Sequence, residues 1–443
     1  MKIIIVGAGE VGRYVAKMLS NESHDITIMD ELEEQLQDLA SNYDVMSRVG
    51  SPTSINDLQM CGVRNCDLFI AVTPSESVNT SACMIAHNLG ARKTVARIDN
   101  YEYLQPKNKE LFKKMGINKL IYPEVLAATE IVQSLQRSWI REYRTFSNEA
   151  LVLVCVKIRE NSEIINKVFN TGYFNHSMFR IVAVKRHTTT IIPSGNDQIL
   201  ANDLVYFICT KENLEYVRNA AGKTNFDIKN IIIMGGSKIA LKTVQYLPND
   251  IDVKIIENNR ERCYELADRT DTLIIHGDGR NIDLLKDEGI EDADAFIALT
   301  DNSETNVLAC LAAKRFGIRK TIAEVENIDY IDLADNLDIG SIINKKLIAA
   351  SYIYQETLDE DAYDVQCLTY SDAEVVEFVV KAGDRITKDR VRNLNLPEDV
   401  NIGGVVRNGK GYIVSGNTVI LPGDHVVIFC KATGVQKLAK FFN

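Results

Sequence analysis

Long apolar runs, paired cysteines and an excess of positive charge are all missing from this sequence. No apolar segment approaches the roughly 18–20 residues that cross a bilayer. The opening MKIIIVG is too short, and too soon followed by glycine, to resemble a signal peptide. The nine cysteines are scattered and show no CxxC spacing. We therefore expect a cytosolic chain with reduced thiols and no metal site.

The charge balance argues against a nucleic-acid partner. Lys and Arg total 50 against 61 Asp and Glu, which gives a formal charge of −11. Binding to the phosphate backbone of DNA requires clustered Lys and Arg. The remaining composition is ordinary for a globular protein, with 46% hydrophobic and 25% charged residues. A chain of 443 residues suggests about three domains.

The chain repeats itself at a distance of 221 to 228 residues. DLFIAVTPSESVNTSAC at 67–83 returns as DAFIALTDNSETNVLAC at 294–310, with 8 of 17 positions identical. SGNDQILANDLVYFIC at 194–209 returns as SGNTVILPGDHVVIFC at 415–430, with 8 of 16 identical. Several matches in the same order indicate a duplicated module of about 220 residues rather than a solenoid.

Each module has two unlike parts. The first part alternates β-branched runs, such as residues 3–6, with segments of helical spacing, such as 11–19 and 32–39. This alternation predicts a parallel sheet with helices on both faces. The second part has short strands separated by turn signals such as Gly403-Gly404. The predicted fold is α/β, a duplicated module of a Rossmann-like parallel-sheet domain followed by a small β-rich α+β lobe.

Two connections are also predicted from local pattern. A helix begins after Pro123 and extends towards Arg141, with apolar residues at Ala127, Ile131 and Leu135. It separates the two parts of the first module. Residues 225–229 join the modules.

A glycine loop directly follows the first strand and opens the first helix. Its residues are Gly7, Ala8, Gly9, Glu10, Val11 and Gly12. Gly7 permits the tight turn, Gly9 lets a pyrophosphate approach the backbone, and Gly12 lets the helix lie close to the strand. The helix N-terminus favours phosphate. Asp30 ends the second strand, where a carboxylate binds ribose hydroxyls and repels a 2′-phosphate. NAD is therefore expected over NADP.

The second copy of this loop is degraded. Gly235 is kept, but Ser237 and Ala240 replace the other two glycines, and Glu257 replaces Asp30. Asp278 follows the third strand, where an adenine edge would lie. This pattern leaves two interpretations of the second module open. The segment either binds a nucleotide or is a simple turn without a ligand. An adenosine mono- or diphosphate is favoured over a dinucleotide.

The sequence offers no evident catalytic group. A dehydrogenase with a duplicated cofactor domain would need an acid or base beside the nicotinamide. A redox-sensing transcription factor would need a helix-turn-helix segment with a basic face. Cys83 and Cys310 match across the repeat within apolar segments, as do Cys209 and Cys430, which favours core residues over nucleophiles.

At this point the sequence resembles the regulator-of-conductance (RCK) family, also described as KTN plus TrkA-C modules, and within it the doubled cytosolic regulators of Trk-type potassium uptake systems. The resemblance is carried by KIIIVGAGEVG, ITIMD, DLFIAVT, VARI, the second-copy GDG and DAFIALT, and both SGN segments. It covers essentially the whole chain. It implies the domains 1–124 (N-lobe 1), 140–223 (C-lobe 1), 228–346 (N-lobe 2, degenerate loop) and 362–443 (C-lobe 2).

The family resemblance also implies a function and a site. It implies a homotetramer beneath a membrane-embedded Trk potassium channel subunit at the cytoplasmic side of the inner membrane. It implies NAD or NADH, or ATP, ADP or AMP, as ligands that control channel opening without catalysis. The implied site residues are the loop at 7–12 and Asp30, then Gly50 and Ser51 in the adenine pocket, Thr73, Arg97 and Glu124, and in the second copy Gly235, Ser237, Glu257 and Asp278. The family often has Asp where Ser51 stands.

Overall fold

The computed structural model describes residues 1–20, 24–37, 39–174, 177–357, 362–371, 373–431 and 438–442. The chain divides into two compact units. The first unit contains residues 1–126 and 345–359, and the second contains 127–344 and 360–443.

The first unit is built on a six-stranded parallel sheet. Its strands are β1 (Lys2–Val6), β2 (Asp25–Asp30), β3 (Met46–Val49), β4 (Leu68–Ala71), β5 (Lys93–Arg97) and β6 (Lys119–Ile121). They lie in the order β3-β2-β1-β4-β5-β6. The strand order therefore reverses direction between β1 and β4, and a crevice forms at the carboxyl ends of strands at such a point.

Helices lie between these strands and after the last of them, where the final helix enters the second unit at Ala127. They are α1 (Glu10–Leu19), α2 (Glu33–Leu36), α3 (Leu39–Asn42), α4 (Ile55–Met60), α5 (Glu76–Leu89), α6 (Pro106–Lys114) and α7 (Pro123–Gln136). The single helix predicted over 32–39 is wrong, because Gln37 takes an extended ψ of 142° and ends α2. The prediction that the later helix extends to Arg141 is also wrong, since α7 ends at Gln136 and a strand begins at Glu142.

A five-stranded antiparallel sheet follows in the second unit. Its strands are β7 (Glu142–Phe146), β8 (Leu151–Lys157), β9 (Phe179–Arg186), β10 (Thr189–Ile191) and β11 (Leu204–Cys209), and α8 (Leu214–Ala220) comes after them. Their order is β10-β9-β11-β8-β7. Every residue of β8 and β11 is buried, which accounts for their continuous apolar runs.

The second parallel sheet repeats the order of the first. Its strands are β12 (Asn230–Met234), β13 (Asp252–Glu257), β14 (Leu273–His276), β15 (Ala295–Ala298), β16 (Lys320–Glu324) and β17 (Ser341–Ile343). The helices are α9 (Lys238–Tyr246), α10 (Arg260–Ala267), α11 (Ile282–Asp287), α12 (Ser303–Arg315), α13 (Asp329–Asn336) and α14 (Lys345–Tyr354). The strand order is β14-β13-β12-β15-β16-β17.

A second antiparallel sheet closes the chain. It contains β18 (Ala362–Cys367), β19 (Ala373–Val379), β20 (Val400–Arg407), β21 (Lys410–Ile413) and β22 (His425–Lys431) in the order β18-β19-β22-β20-β21. The interpretation of Gly403-Gly404 as a turn is wrong, because both glycines lie inside β20, where the pairing register shifts. A Cβ at Gly403 would collide with the Ile208 side chain, so the glycine permits close packing of the two antiparallel sheets.

The predicted fold class is confirmed: each module has a Rossmann-like parallel sheet followed by a small antiparallel lobe. The four domain boundaries inferred from the sequence stay predictions. Among the described residues, none of the helices is long and apolar enough to cross a membrane.

Candidate nucleotide-binding sites

The glycine loop of the first module has the three geometric properties that a pyrophosphate site needs. Gly7 has a φ of +98°, and a Cβ there would approach the Thr73 nitrogen to 2.8 Å. At Gly12, a Cβ would collide with the Gly7 carbonyl oxygen. A Cβ at Gly9, in contrast, would meet no protein atom within 4 Å. The space at Gly9 therefore opens away from the protein, where a ligand can approach the backbone.

The remaining loop residues contribute in different ways. Ala8 and Val11 are buried, so their side chains belong to the core and are not available to a ligand. Glu10 is the first residue of α1, and its side chain is exposed. A carboxylate at a helix N-terminus is favourable when no other anion is bound there.

Asp30 clamps the loop from the end of β2. One carboxylate oxygen accepts the Ala8 N–H at 2.7 Å, and the other accepts the Leu32 N–H at 2.9 Å. The Ala8 carbonyl accepts a hydrogen bond from Arg13 Nε at 2.9 Å. Since a carboxylate has about four acceptor positions, Asp30 can still accept ribose hydroxyls.

The candidate adenine residues lie directly beside this clamp. Gly50 follows β3, and its N–H donates to the Asp30 carbonyl at 3.0 Å. The Ser51 N–H donates to Asp57 Oδ2 at 2.9 Å. The structure therefore places an acid at Ser51 although the sequence position itself is not acidic. Asp57 was not among the site residues predicted from the sequence.

A buried asparagine joins the other candidate residues. Asn79 Oδ1 accepts from the Thr73 N–H at 2.9 Å and from its hydroxyl at 2.7 Å, while Asn79 Nδ2 donates to the Arg97 carbonyl at 3.0 Å. The same bonds link Thr300, Asn306 and the Glu324 carbonyl in the second module. Asn79 was not predicted as a site residue, although its identity with Asn306 across the repeat was a usable signal.

Arg97 and Glu124 form an ion pair at the carboxyl end of β5, with 3.2 Å between Arg97 Nη2 and Glu124 Oε1. Glu124 is 7% exposed. Among the residues that the structure describes, Arg97 Nε and Glu124 Oε2 are buried and have no hydrogen-bond partner. Such atoms carry a desolvation cost that a bound polar group would relieve. The structure thus brings these two predicted residues together.

The second module has a cleft of about 520 Å³ at the matching place. Its lining includes the four predicted residues Gly235, Ser237, Glu257 and Asp278. Pockets for small ligands typically enclose about 300–1,000 Å³. The cleft is therefore large enough for an adenosine nucleotide.

Glu257 repeats the clamp of Asp30. Its two oxygens accept the Gly236 N–H at 2.6 Å and the Asn259 N–H at 2.7 Å. Arg262 Nε donates to the Gly236 carbonyl at 2.8 Å, as Arg13 does to Ala8, although Arg262 lies on α10 and not on the loop helix. The two modules therefore fix the loop carbonyl by the same bond from different helices.

Two features distinguish the second cleft. The Ser237 hydroxyl caps α9 by accepting the Ala240 N–H at 3.3 Å, so it already occupies one donor that a phosphate would use. Asp278 and Arg280 form an ion pair at 2.8 Å. Hydrogen bonds from the Arg280 side chain and backbone hold the pKa of Asp278 below its usual value. Asp278 thus places a carboxylate at the lining of this cleft.

The repeat-matched cysteines are core residues. Cys83 and Cys310 are fully buried. Burial raises the pKa of Cys310 to about 12 and that of Cys83 further. Within the described ranges, no group of three or more His, Cys, Asp or Glu side chains is placed to hold a metal ion.

The fold and the two sites define a protein with two tandem Rossmann-type modules, each with a carboxylate-clamped loop between its first strand and first helix. Comparison with known sequences identifies the family. The TrkA-N domain model matches residues 3–123 and 231–345, and the TrkA-C domain model matches 153–222 and 375–443. The chain belongs to this family of TrkA-N and TrkA-C proteins.

Curated relatives match over nearly the full chain. The Trk system potassium uptake protein TrkA of Halomonas elongata is 30% identical over 438 residues, which cover 97% of this chain and 95% of the relative. The protein of the same name from Haemophilus influenzae is 31% identical over 453 residues, covering 100% and 99%.

Solved structures agree in fold. The GsuK RCK domain superposes with a TM-score of 0.61 at 15% identity and covers 100% of this chain and 94% of that one. The GsuK channel bound to NAD gives a TM-score of 0.61 at 14% identity, covering 100% and 78%. At this level of identity the likeness concerns the fold alone.

Proposed function

We propose that this chain is the nucleotide-sensing regulatory subunit of a Trk-type potassium uptake channel. The observation that carries the proposal is the first glycine loop, which is open at Gly9 and clamped by Asp30. Membership of the TrkA-N and TrkA-C family supports the link to potassium uptake, because the relatives carry that name.

The ligand of the first module is NAD or NADH, or an adenine nucleotide. The free acceptor positions of Asp30 suit an unphosphorylated ribose and repel a 2′-phosphate. One solved GsuK channel holds NAD and another holds ADP, which supports both ligand classes. The second module binds an adenosine mono- or diphosphate, since the Ser237 hydroxyl accepts the Ala240 N–H and leaves one backbone donor fewer for a phosphate.

The subunit acts as a homotetramer beneath its channel at the cytoplasmic face of the inner membrane. It requires no catalytic step, because ligand binding that favours one conformation is sufficient to shift a two-state channel. The alternative is an NAD-dependent dehydrogenase with a duplicated cofactor domain. A change in nicotinamide absorbance that depends on an added substrate, and so reports reduction or oxidation of the cofactor, would favour that alternative.

Calorimetry on the full chain with NAD, NADH, ADP and ATP tests the binding part of the proposal. We expect at least one of these ligands to bind stoichiometrically, and NADP to bind more weakly than NAD. The regulatory part is tested in proteoliposomes that contain the Trk channel subunit from the same source. Potassium flux should change when the chain is added, and this change should depend on the bound nucleotide. A potassium flux that changes neither when the chain is added nor when the nucleotide is varied would contradict the proposal.

A further inference from the structure

A cluster of charged side chains that belongs to neither glycine loop lies within the second compact unit. Its centre is the carboxylate of Asp338, in the turn between α13 and β17. Asp338 Oδ1 accepts a hydrogen bond from Arg141 Nη2 at 2.5 Å, and Oδ2 accepts one from Arg159 Nη2. Lys314 Nζ lies 3.5 Å from the same Oδ2. Three cations thus surround one carboxylate.

A fourth cation joins this cluster without a partner of its own. Lys223 follows α8, and in the described part of the chain its ammonium group makes no hydrogen bond or ion pair. Burial and the three neighbouring cations lower the pKa of this lysine to about 8, and the Asp338 carboxylate offsets them only in part. The cluster therefore has more positive charge than its single carboxylate can neutralise.

The same excess of positive charge acts on a buried lysine nearby. Lys320, the first residue of β16, is 4% exposed, and its Nζ donates to the Ile140 carbonyl at 3.0 Å and to Ser341 Oγ at 3.1 Å. Burial and the charges of Arg141 and Lys314 hold the pKa of this lysine well below its usual value. An added anion would relieve the repulsion among all these cations.

The repeat shows that the carboxylate at the centre is a special feature of the second module. His87 and Gly116 stand in the first module at the positions that match Lys314 and Asp338. They are also neighbours there, because a Cβ at Gly116 would collide with the His87 ring. Asp338 keeps the left-handed backbone of that glycine, with a φ of +56° against +88°. The second module thus replaces a turn glycine by a charge that orders the surrounding cations.

We propose that this cluster binds a phosphate group, held by Lys223, Arg159 and Lys314. Phosphate oxygens accept several charge-assisted hydrogen bonds at once, and a guanidinium group can bind two of them. Arg159 and Lys314 are 37% and 27% exposed, so an anion can reach them from solvent. Asp338 stays neutralised by Arg141, which is 11% exposed and does not need to move. The site does not depend on nucleotide binding at either glycine loop.

Equilibrium dialysis of the full chain against inorganic pyrophosphate tests this site, and ATP provides a second arm. Lys223→Gln should weaken pyrophosphate binding by about tenfold, the effect of losing one charge-assisted hydrogen bond. Lys223→Arg should retain most of the affinity. An effect on pyrophosphate alone would assign the site to small free phosphates, and an effect on ATP as well would extend it to nucleotides.

The pH dependence separates a ligand role of Lys223 from a structural one. The free lysine keeps its proton below about pH 8 and loses it above. The affinity ratio of the unmutated protein to Lys223→Gln should therefore fall from about ten near pH 7 towards about one near pH 9.5. Titration of the ligand affects both proteins equally and cancels in this ratio. Lys223→Gln should not lower the urea midpoint, because it removes a cation without a partner.

Lys410→Gln is the matched control, since it removes the same charge from an exposed position at the start of β21. It should leave pyrophosphate and ATP affinity unchanged. Unchanged pyrophosphate and ATP affinity in Lys223→Gln, or an affinity ratio that does not vary with pH, would overturn the inference. Nucleotide binding at the glycine loops would be unaffected by that result, so the proposed function would still stand.

Discussion

At the scale of single residues, the ligand loop is held by a carboxylate that is itself a candidate ligand group. Asp30 and Glu257 each accept two backbone N–H groups, one from the loop and one from the segment after the strand. Hydrogen bonds to a charged acceptor contribute about 1.5–3 kcal/mol. The carboxylate thus fixes the loop before a nucleotide arrives, and a preorganised site loses less entropy on binding.

Gly9→Val should abolish nucleotide binding in the first module and leave the fold intact. The new side chain projects into space where no protein atom lies within 4 Å, so its only conflict is with the ligand. We expect affinity to fall by at least about a hundredfold, or ~2.7 kcal/mol, by calorimetry.

Gly12→Val is the contrasting variant, because its Cβ would collide with the Gly7 carbonyl oxygen. It should lower the thermal midpoint of unfolding. Normal affinity in Gly9→Val, with a native circular dichroism spectrum, would show that nucleotides do not use this loop.

Asp30→Ala should weaken NAD binding by about 1–3 kcal/mol, because charge-assisted hydrogen bonds to ribose are lost. The variant should also reduce the preference for NAD over NADP. The Ala8 and Leu32 N–H groups lose their acceptor at the same time, so the loop itself loosens. The affinity ratio for NAD and NADP is therefore the decisive readout. An unchanged ratio would place the ribose elsewhere.

At the scale of elements, one buried asparagine in each module joins the carboxyl ends of two neighbouring strands, β4 and β5 in the first module and β15 and β16 in the second. Asn79 and Asn306 are both fully buried and make the same bonds. Asn79 holds Thr73 at the end of β4, and Asn306 holds Thr300 at the end of β15 with the same hydrogen bond. Buried amides without partners are costly, so these bonds specify how the strands end.

Asn79→Ala should lower the free energy of unfolding by about 2–3 kcal/mol, since it leaves the Thr73 N–H and the Arg97 carbonyl without their partner. Urea denaturation measures this change. Asn306→Ala is the matched variant in the second module and should show a similar loss. Stability equal to the unmutated protein in both variants would refute this role.

Particular elements show what the sequence could predict and what it could not. The strand–loop–helix at 2–19 was predictable because its signals are adjacent in the chain, and the expected roles of Gly7 and Gly12 match the geometry. The prediction for Gly403 was wrong because a glycine is required there by the contact with Ile208. That residue lies 195 positions earlier and on another sheet. The end of α2 at Gln37 is not marked by a glycine or proline in the sequence. Long-range contacts and breaks of this kind leave no local pattern.

At the scale of the whole molecule, regulation requires only modest differential binding. Moving a two-state channel from 1:99 to 99:1 takes about 5.5 kcal/mol. Four equivalent sites would share this as roughly 1.4 kcal/mol each, a tenfold difference in affinity between the two states. One or two extra hydrogen bonds per ligand supply that amount. A tetramer of duplicated chains therefore suits the proposed regulation better than a monomer.

Solution X-ray scattering combined with light scattering, on the full chain with and without NADH, ADP and ATP, tests the central claim most directly. We predict a mass near four chains and a scattering curve that changes when at least one of these nucleotides binds. Gly9→Val should keep the mass but lose the change that depends on the first-module ligand. A strictly monomeric mass at micromolar concentration, or identical curves in every ligand state, would contradict a regulatory ring that responds to nucleotides.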